Sequence, residues 1–210
     1  MLVDLLLTCT FLVPRNPRLG DIVSSSTQIC NIALSKIGQD AILSLDENTR
    51  SGRICNLIYN DERKVVLRAH NWNFATKRVE LAQLTATPDY EYSYYYQLPS
   101  DFVKIIGHSY EEYSDFKYKI EGDKLLTNEA SISIKYIYDV VAVELFDSLF
   151  KQALSAKIAA EASVFLTDDE VLYDRMMLSY NDKISQAKNV DSQEGTPDNF
   201  ITSTWINSRI

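Results

Sequence analysis

The residues of this chain that could do acid–base or metal chemistry are few. Only two histidines occur, His70 and His108, and they are too few for a metal site built from histidine. Three carboxylates, Glu111, Glu112 and Asp115, lie in a tyrosine-bearing segment. Two carboxylates that flank a glycosidic bond are the machinery of glycoside hydrolysis. A solvated loop explains the same cluster, so both interpretations stay open.

Other patterns of catalytic chemistry are missing from the sequence. The six glycines are scattered, so no glycine-rich loop is available to cradle a phosphate, and no G-x-S-x-G turn presents a nucleophilic serine. Cys9, Cys30 and Cys55 form no C-x-x-C pair, and their odd number indicates free thiols in a reducing compartment. The sequence therefore predicts no catalytic residue, no metal and no cofactor.

The charge of the chain limits its partners. The formal net charge is −8 over 210 residues. Proteins hold nucleic acid mainly by neutralising phosphates with lysine and arginine, so DNA held by contact is not expected. An acidic surface is instead suited to a protein along which DNA moves without being bound.

Residues 1–26 are expected to form an N-terminal arm that packs on another surface. The apolar run ends at Val13 and contains Asp4, which makes it too short for a bilayer span of about 20 residues. Arg15 and Arg18 follow the apolar run, whereas a secretory signal carries its positive charge in front. A membrane or export element is the alternative for this arm.

Helical periodicity predicts a first helical pair over residues 27–74 and a second over 139–188. The second pair begins with an alanine-rich helix, and Thr167 and Glu170 are placed to form a capping box for the last helix. The residues expected to face the core are Ile29, Ile32, Ala33 and Ile37 in the first helix, Ile54, Leu57, Ile58, Val65 and Ala69 in the second, and Tyr173, Met176, Met177, Tyr180, Ile184 and Ala187 in the last.

Between the helical pairs, residues 75–138 alternate with period two and predict about five antiparallel strands. A hairpin turn is expected at Gly122-Asp123. Tyr90, Tyr92, Tyr94 and Tyr96 would share one face of a strand, either as a packing face or as a platform for carbohydrate or peptide. The predicted fold is α+β: a bundle of about four helices with an inserted antiparallel β-rich section and extended terminal arms.

Two groups of aromatic and apolar residues lie outside these repeats. Trp72 and Phe74 occur in "HNWNFATKRVELA", where a helical pattern stops and a strand pattern begins. We expect both side chains to be buried between the helices and the sheet, and so to fix the angle between the helical and the β-rich parts. Residues 189–210 are expected to form a polar docking tail that binds another protein chain through Phe200, Ile201, Trp205, Ile206 and Arg209.

The order of these motifs resembles a known family. The segments "ICNIALSKIGQDAILSLDEN", "DERKVVLRAHNWNFATKRVEL", "YYYQLPSDFVKI", "YKIEGDKLLTN" and "ISIKYIYDVVAVELFDSLFKQALSAKIAAEAS" resemble the tail tubular protein A, or head-to-tail adaptor, family of short-tailed bacteriophages. The resemblance covers about residues 27–188. Trp-Asn-Phe after the charged helix and Leu-Pro-Ser-Asp after the aromatic strand are its most specific parts.

The resemblance implies a structural virion protein in the neck of a phage. It implies a homo-oligomeric ring of twelve copies that joins the portal to the tail nozzle, with DNA passing through the lumen without specific binding. It implies no cofactor, no membrane and no catalytic residue, and it does not account for residues 1–26. The alternatives are a tail-associated peptidoglycan hydrolase that uses Glu111 and Glu112, or a head-completion connector of a long-tailed phage.

Overall fold

A computed structural model describes residues 25–110, 116–167 and 169–194 of the chain. The helices of these ranges are α1 (Ser26–Lys36), α2 (Arg50–Arg68), α3 (Ser148–Leu166) and α4 (Glu170–Gln193). The strands are β1 (Thr76–Glu80), β2 (Tyr94–Gln97), β3 (Phe102–His108), β4 (Tyr118–Glu121), β5 (Lys124–Thr127) and β6 (Ser133–Tyr138). The expected α+β fold, with antiparallel strands between two pairs of helices, is confirmed.

The helix α3 lies at the centre of the helical part and packs against α1, α2 and α4. Its alanines are buried around most of its circumference. Small side chains let three neighbouring helices approach one helix closely, because the backbones are not held apart by bulk. The fully buried alanines are Ala153, Ala156, Ala159, Ala160 and Ala162.

The predicted inner stripe of α4 is correct, because Met176, Tyr180, Ile184 and Ala187 are buried and the remaining two residues are half-buried. The predicted faces of the first two helices are wrong in part. Ile32 is partly exposed, and Leu57 is 69% exposed. Both helices pack against α3 rather than mainly against each other, and this turns Cys30, Leu34, Cys55 and Leu67 inward.

The start of α4 also differs from the prediction. Its cap is Asp169, whose Oδ1 accepts a hydrogen bond from the Leu172 amide at 3.1 Å. Thr167 belongs to the end of α3, where its hydroxyl donates to the Ser163 carbonyl at 2.8 Å. The expected capping box of Thr167 with Glu170 is therefore wrong, since the two residues lie on different sides of the turn.

The strands form two antiparallel sheets of three, in the orders β1-β6-β3 and β2-β5-β4. The described residues thus hold six strands instead of about five. The predicted turn joins β4 to β5, with Gly122 at a φ of 61° that favours glycine. Tyr136 of β6 belongs to the core between the sheets, whereas Ile137 belongs to the helical core. Successive side chains of a strand point to opposite faces, so β6 connects the two cores.

The tyrosine strand is shorter than predicted. It starts at Tyr94, and Tyr90 is 79% exposed. Glu91 has a φ of 70°, which breaks the alternation before the strand begins. Tyr96 is buried, and its hydroxyl donates to the Glu129 carbonyl at 2.9 Å. Its role in this position is packing.

Two predicted boundaries are wrong at the ends of the described chain. The docking tail was expected from residue 189, but α4 continues to Gln193. Ser26 is the first residue of α1 and not the last residue of an arm. Residues 1–24 and 195–210 lie outside the described ranges.

Candidate functional site at the junction of helices and sheet

The segment between α2 and β1 contains the Trp-Asn-Phe motif of the sequence. Residues Asn73–Ala75 form a short 3₁₀ turn directly before β1. Trp72 is 1% exposed, and its Nε1–H donates to the Val66 carbonyl of α2 at 3.0 Å. A buried tryptophan needs a partner for its N–H, and here the bond folds the chain back onto the helix that precedes it.

Aromatic rings connect this segment to the start of α3. The Phe150 ring lies 5.1 Å from Trp72 and 5.0 Å from Phe74, both with edge-to-face geometry. Phe146 lies 4.9 Å from Phe150. Pairs in this arrangement contribute about 0.5–1.5 kcal/mol each beyond the area that they bury. The core to which these rings belong also contains Ile137 of β6, so helices and sheet meet there.

A polar cluster ties the end of α4 to the same segment. Asp191 is buried, and its Oδ1 accepts from the Asn73 amide at 3.1 Å. The Asn73 side chain donates to the Asp191 carbonyl at 2.7 Å. His70 Nε2 lies 3.2 Å from the other carboxylate oxygen. Burial lowers the pKa of His70, and Asp191 opposes that shift.

Sequence reasoning missed Asp191, because it placed this residue in the tail. No local pattern would have revealed it, since 118 positions separate Asn73 from Asp191. Three successive residues of the motif therefore bind three different helices: Trp72 binds α2, Asn73 binds α4 and Phe74 packs on α3.

An ion pair between a buried arginine and a half-buried aspartate forms a second connection between helices and sheet. Arg63 of α2 donates from Nε and Nη2 to the two carboxylate oxygens of Asp139, each at 3.0 Å. Its Nη1 donates to Asn60 at 2.8 Å. Asp139 directly follows β6, so the pair holds the sheet against α2. The neighbouring Tyr59 is buried, and burial raises its pKa to about 12.

The two histidines of the sequence are not brought together. His70 lies at this junction, whereas His108 ends β3 beside the rings of Phe116 and Tyr118. The cluster Glu111, Glu112 and Asp115 lies outside the described residues. In the described ranges no group of three or more potential metal ligands occurs.

The cysteines fit the prediction of free thiols in the part that the structure describes. Cys30 and Cys55 are free and fully buried. A hydrogen bond with Cys55 and burial raise the pKa of the Cys30 thiol. The expected docking residues Phe200, Ile201, Trp205, Ile206 and Arg209 lie beyond the described ranges, as does Cys9.

None of the described helices is long and apolar enough to cross a membrane. No protein-family model matches the sequence, and no curated protein matches it.

Proposed function

We propose that this chain is a structural virion protein, the head-to-tail adaptor that forms a closed ring between the portal and the tail nozzle of a short-tailed phage. The ring contains twelve copies, and DNA passes through its lumen without specific binding. It is assembled in the host cytoplasm and resides in the neck of the virion. The proposal includes no cofactor and no catalytic residue.

The observation that carries the proposal is the junction of helices and sheet. Trp72, Asn73 and Phe74 attach β1 to α2, α4 and α3, one residue to each helix. A joint held in three directions transmits force between two parts of a subunit with little bending, as a ring under load requires. The same three residues are among the most specific parts of the resemblance to the adaptor family.

The charge of the chain supports the same function. A net charge of −8 disfavours the phosphate contacts that hold DNA. A duplex that must move through a ring is better served by a surface that repels it.

The test is to mix the purified chain with the portal protein encoded in the same genome and to image the complex by electron microscopy. We expect a closed ring of this protein stacked on the portal, with the symmetry of the portal. The ring forms there even if the free protein is a monomer, because the portal supplies the rotation that closes it. A single copy, or a copy on the outer face of the capsid, contradicts the proposal.

The variant Glu111→Gln/Glu112→Gln separates this proposal from the hydrolase. We expect unchanged ring assembly and unchanged clearing of purified peptidoglycan. A lytic activity that the wild type has and the folded variant lacks would favour the hydrolase.

A further inference from the structure

A groove with three lysines runs between α1, α3 and α4. We call it the lysine groove and define it by Lys36, Lys151 and Lys183 together with Ile29, Ile32 and Ser155. Its volume is about 540 Å³, and no carboxylate is among the residues that line it. On a chain with 29 acidic residues, a groove lined only by cations and neutral groups favours an anionic occupant.

Two lysines of the groove, Lys36 and Lys183, have few counter-charges close to their ammonium groups. Lys36 Nζ donates to the neutral Ser155 hydroxyl at 2.8 Å and has no ion pair among the described residues. The carboxylate of Asp182 is 4.0 Å from Lys183 Nζ. Burial, and then the charge of Lys183, lower the pKa of Lys36. A carboxylate between the two ammonium groups would remove this repulsion.

The groove also has an apolar wall. Ile32 is 43% exposed beside the lysines, although its helix is otherwise packed against α3. An occupant that matches this surface carries apolar side chains next to its carboxylates, because exposed apolar area is stabilised by leaving water.

The turn between α3 and α4 has the matching chemistry. We call it the acidic turn and define it by the exposed residues Val164, Phe165, Asp169, Glu170, Val171 and Asp174. Val164, Phe165 and Val171 are 49%, 48% and 67% exposed. Arg50 of α2 donates to the Phe165 carbonyl, which fixes the turn without covering these side chains.

The lysine groove and the acidic turn lie at different positions along α3 and α4. Nine residues separate Ser155 from Val164 in α3, and nine separate Asp174 from Lys183 in α4. Nine residues span about 13 Å along a helix axis, so the two surfaces are separated along both helices. Two surfaces at different positions on one subunit can pair between copies arranged head to tail.

We infer that the lysine groove of one copy binds the acidic turn of a second copy of this chain. Such a contact is heterologous, and repetition of one heterologous contact closes a ring when the rotation fits. The inference rests on the proposed function in one respect, since it names the contact between neighbouring subunits of the proposed ring.

The test uses two double variants of the full chain in sedimentation velocity over a concentration series. Lys36→Glu/Lys183→Glu reverses the groove, and Glu170→Lys/Asp174→Lys reverses the turn. We expect the wild type to associate. Each variant alone should associate more weakly, with a dissociation constant at least about tenfold above that of the wild type, because like charges then face each other. Raised salt weakens the wild-type contact.

Mixing the two variants gives the decisive measurement. The normal turn of the groove variant faces the normal groove of the turn variant, and the reversed turn faces the reversed groove, so opposite charges meet at both contacts. We expect the mixture to associate more tightly than either variant alone. The control is Lys64→Glu/Arg78→Glu, which changes the net charge by the same amount as the groove variant. Both residues are exposed and lie outside the two surfaces, so this variant should associate as the wild type does.

Three results would overturn the inference: a wild-type chain that stays monomeric throughout, variants that associate normally, or a mixture that associates no more tightly than either variant alone. None of them decides the proposed function, because ring formation on the portal is measured separately. If both variants still form a ring on the portal, the proposed adaptor function is retained and the contact between subunits lies on another surface.

Discussion

Arg63 is a charged side chain that lies almost entirely inside the protein, with 4% of its surface exposed. Its two bonds to Asp139 and one to Asn60 give the guanidinium three acceptors inside the protein. Asp139→Ala leaves this charge unpaired, and we expect a loss of about 3–5 kcal/mol in the free energy of unfolding. Urea denaturation followed by circular dichroism measures it.

The control is the exposed pair of Lys119 and Glu121 on the hairpin of β4, whose atoms are equally close at 2.8 Å. Lys119→Met should leave the free energy of unfolding unchanged, since exposed pairs are solvated in both states. Equal losses in the two variants would show that burial of Arg63 does not determine the effect.

His70 makes the junction sensitive to acid. Burial lowers its pKa below the ordinary value of 6.5. The folded protein then holds this proton less tightly than the unfolded chain, so unfolding takes up a proton in acid. We expect the free energy of unfolding to fall as the pH drops below about 6.5, through the lowered pKa of the folded state.

The measurement for His70 is urea denaturation at several pH values between neutral and mildly acidic. His70→Gln should flatten the pH dependence in this window, because the proton-binding group is gone. His108→Gln is the matched control, since His108 lies outside the junction and the variant keeps His70. A wild-type stability that rises as the pH falls would contradict the assignment.

At the scale of elements, Gly52 shows that a helix can require a residue of low helix propensity. A Cβ added there would lie 2.6 Å from the Glu47 carbonyl oxygen, which is backbone and cannot rotate away. Gly→Ala normally stabilises a helix by about 1 kcal/mol. We expect Gly52→Ala instead to destabilise the protein by about 1–3 kcal/mol, the usual range for overpacking.

Thermal denaturation checks this prediction. Ser51→Ala is the control in the same turn of α2, where an alanine should be neutral or slightly stabilising. A Gly52→Ala protein that melts higher than the wild type would mean that the loop before α2 moves aside easily.

The sequence predicted the elements better than their orientation. The hairpin at Gly122 and the stripe of α4 were predictable, because each follows from a local pattern with one reasonable outcome. The faces of α1 and α2 were not, because both helices carry more apolar residues than one face needs. Only the position of α3 decides that Leu67 is buried and that Leu57 is exposed.

The last turn of α4 is held by the junction and not by its own composition. Asp191→Ala removes the acceptor of the Asn73 amide, and we expect a loss of about 1–3 kcal/mol in the free energy of unfolding. Asp182→Ala, an exposed aspartate earlier in the same helix, should change it little. Urea denaturation compares the two, and equal effects would mean that the contact to Asn73 contributes nothing specific.

At the scale of the whole molecule, the candidate site was only half predictable. Trp72 and Phe74 could be predicted, because these two aromatic residues occur where the hydrophobic periodicity changes from helical to strand-like. Their partners were not found, because Phe150 and Asp191 come from distant parts of the chain and only the fold brings them together.

The same contact at Asp191 changes how the docking tail must be tested. A chain cut after Lys188 would lose the last turn of α4 together with the tail, so it would melt at a lower temperature for reasons unrelated to docking. A chain cut after Glu194 keeps every described residue. The comparison of the two truncated chains separates stability from binding.

We expect the chain that ends at Glu194 to melt like the full protein and to lose stable attachment to the portal. The tail carries Phe200, Ile201, Trp205, Ile206 and Arg209 in a polar segment, and a large aromatic that docks typically contributes about 2–4 kcal/mol. Around the ring that we propose, these contributions would act together, so even the lower value would hold two rings in place. Trp205→Ala in the full chain should weaken attachment most, with Ser203→Ala as its control, and co-sedimentation with the portal measures both. A truncated chain that still forms a stable neck would show that another surface, and not the tail, binds the portal.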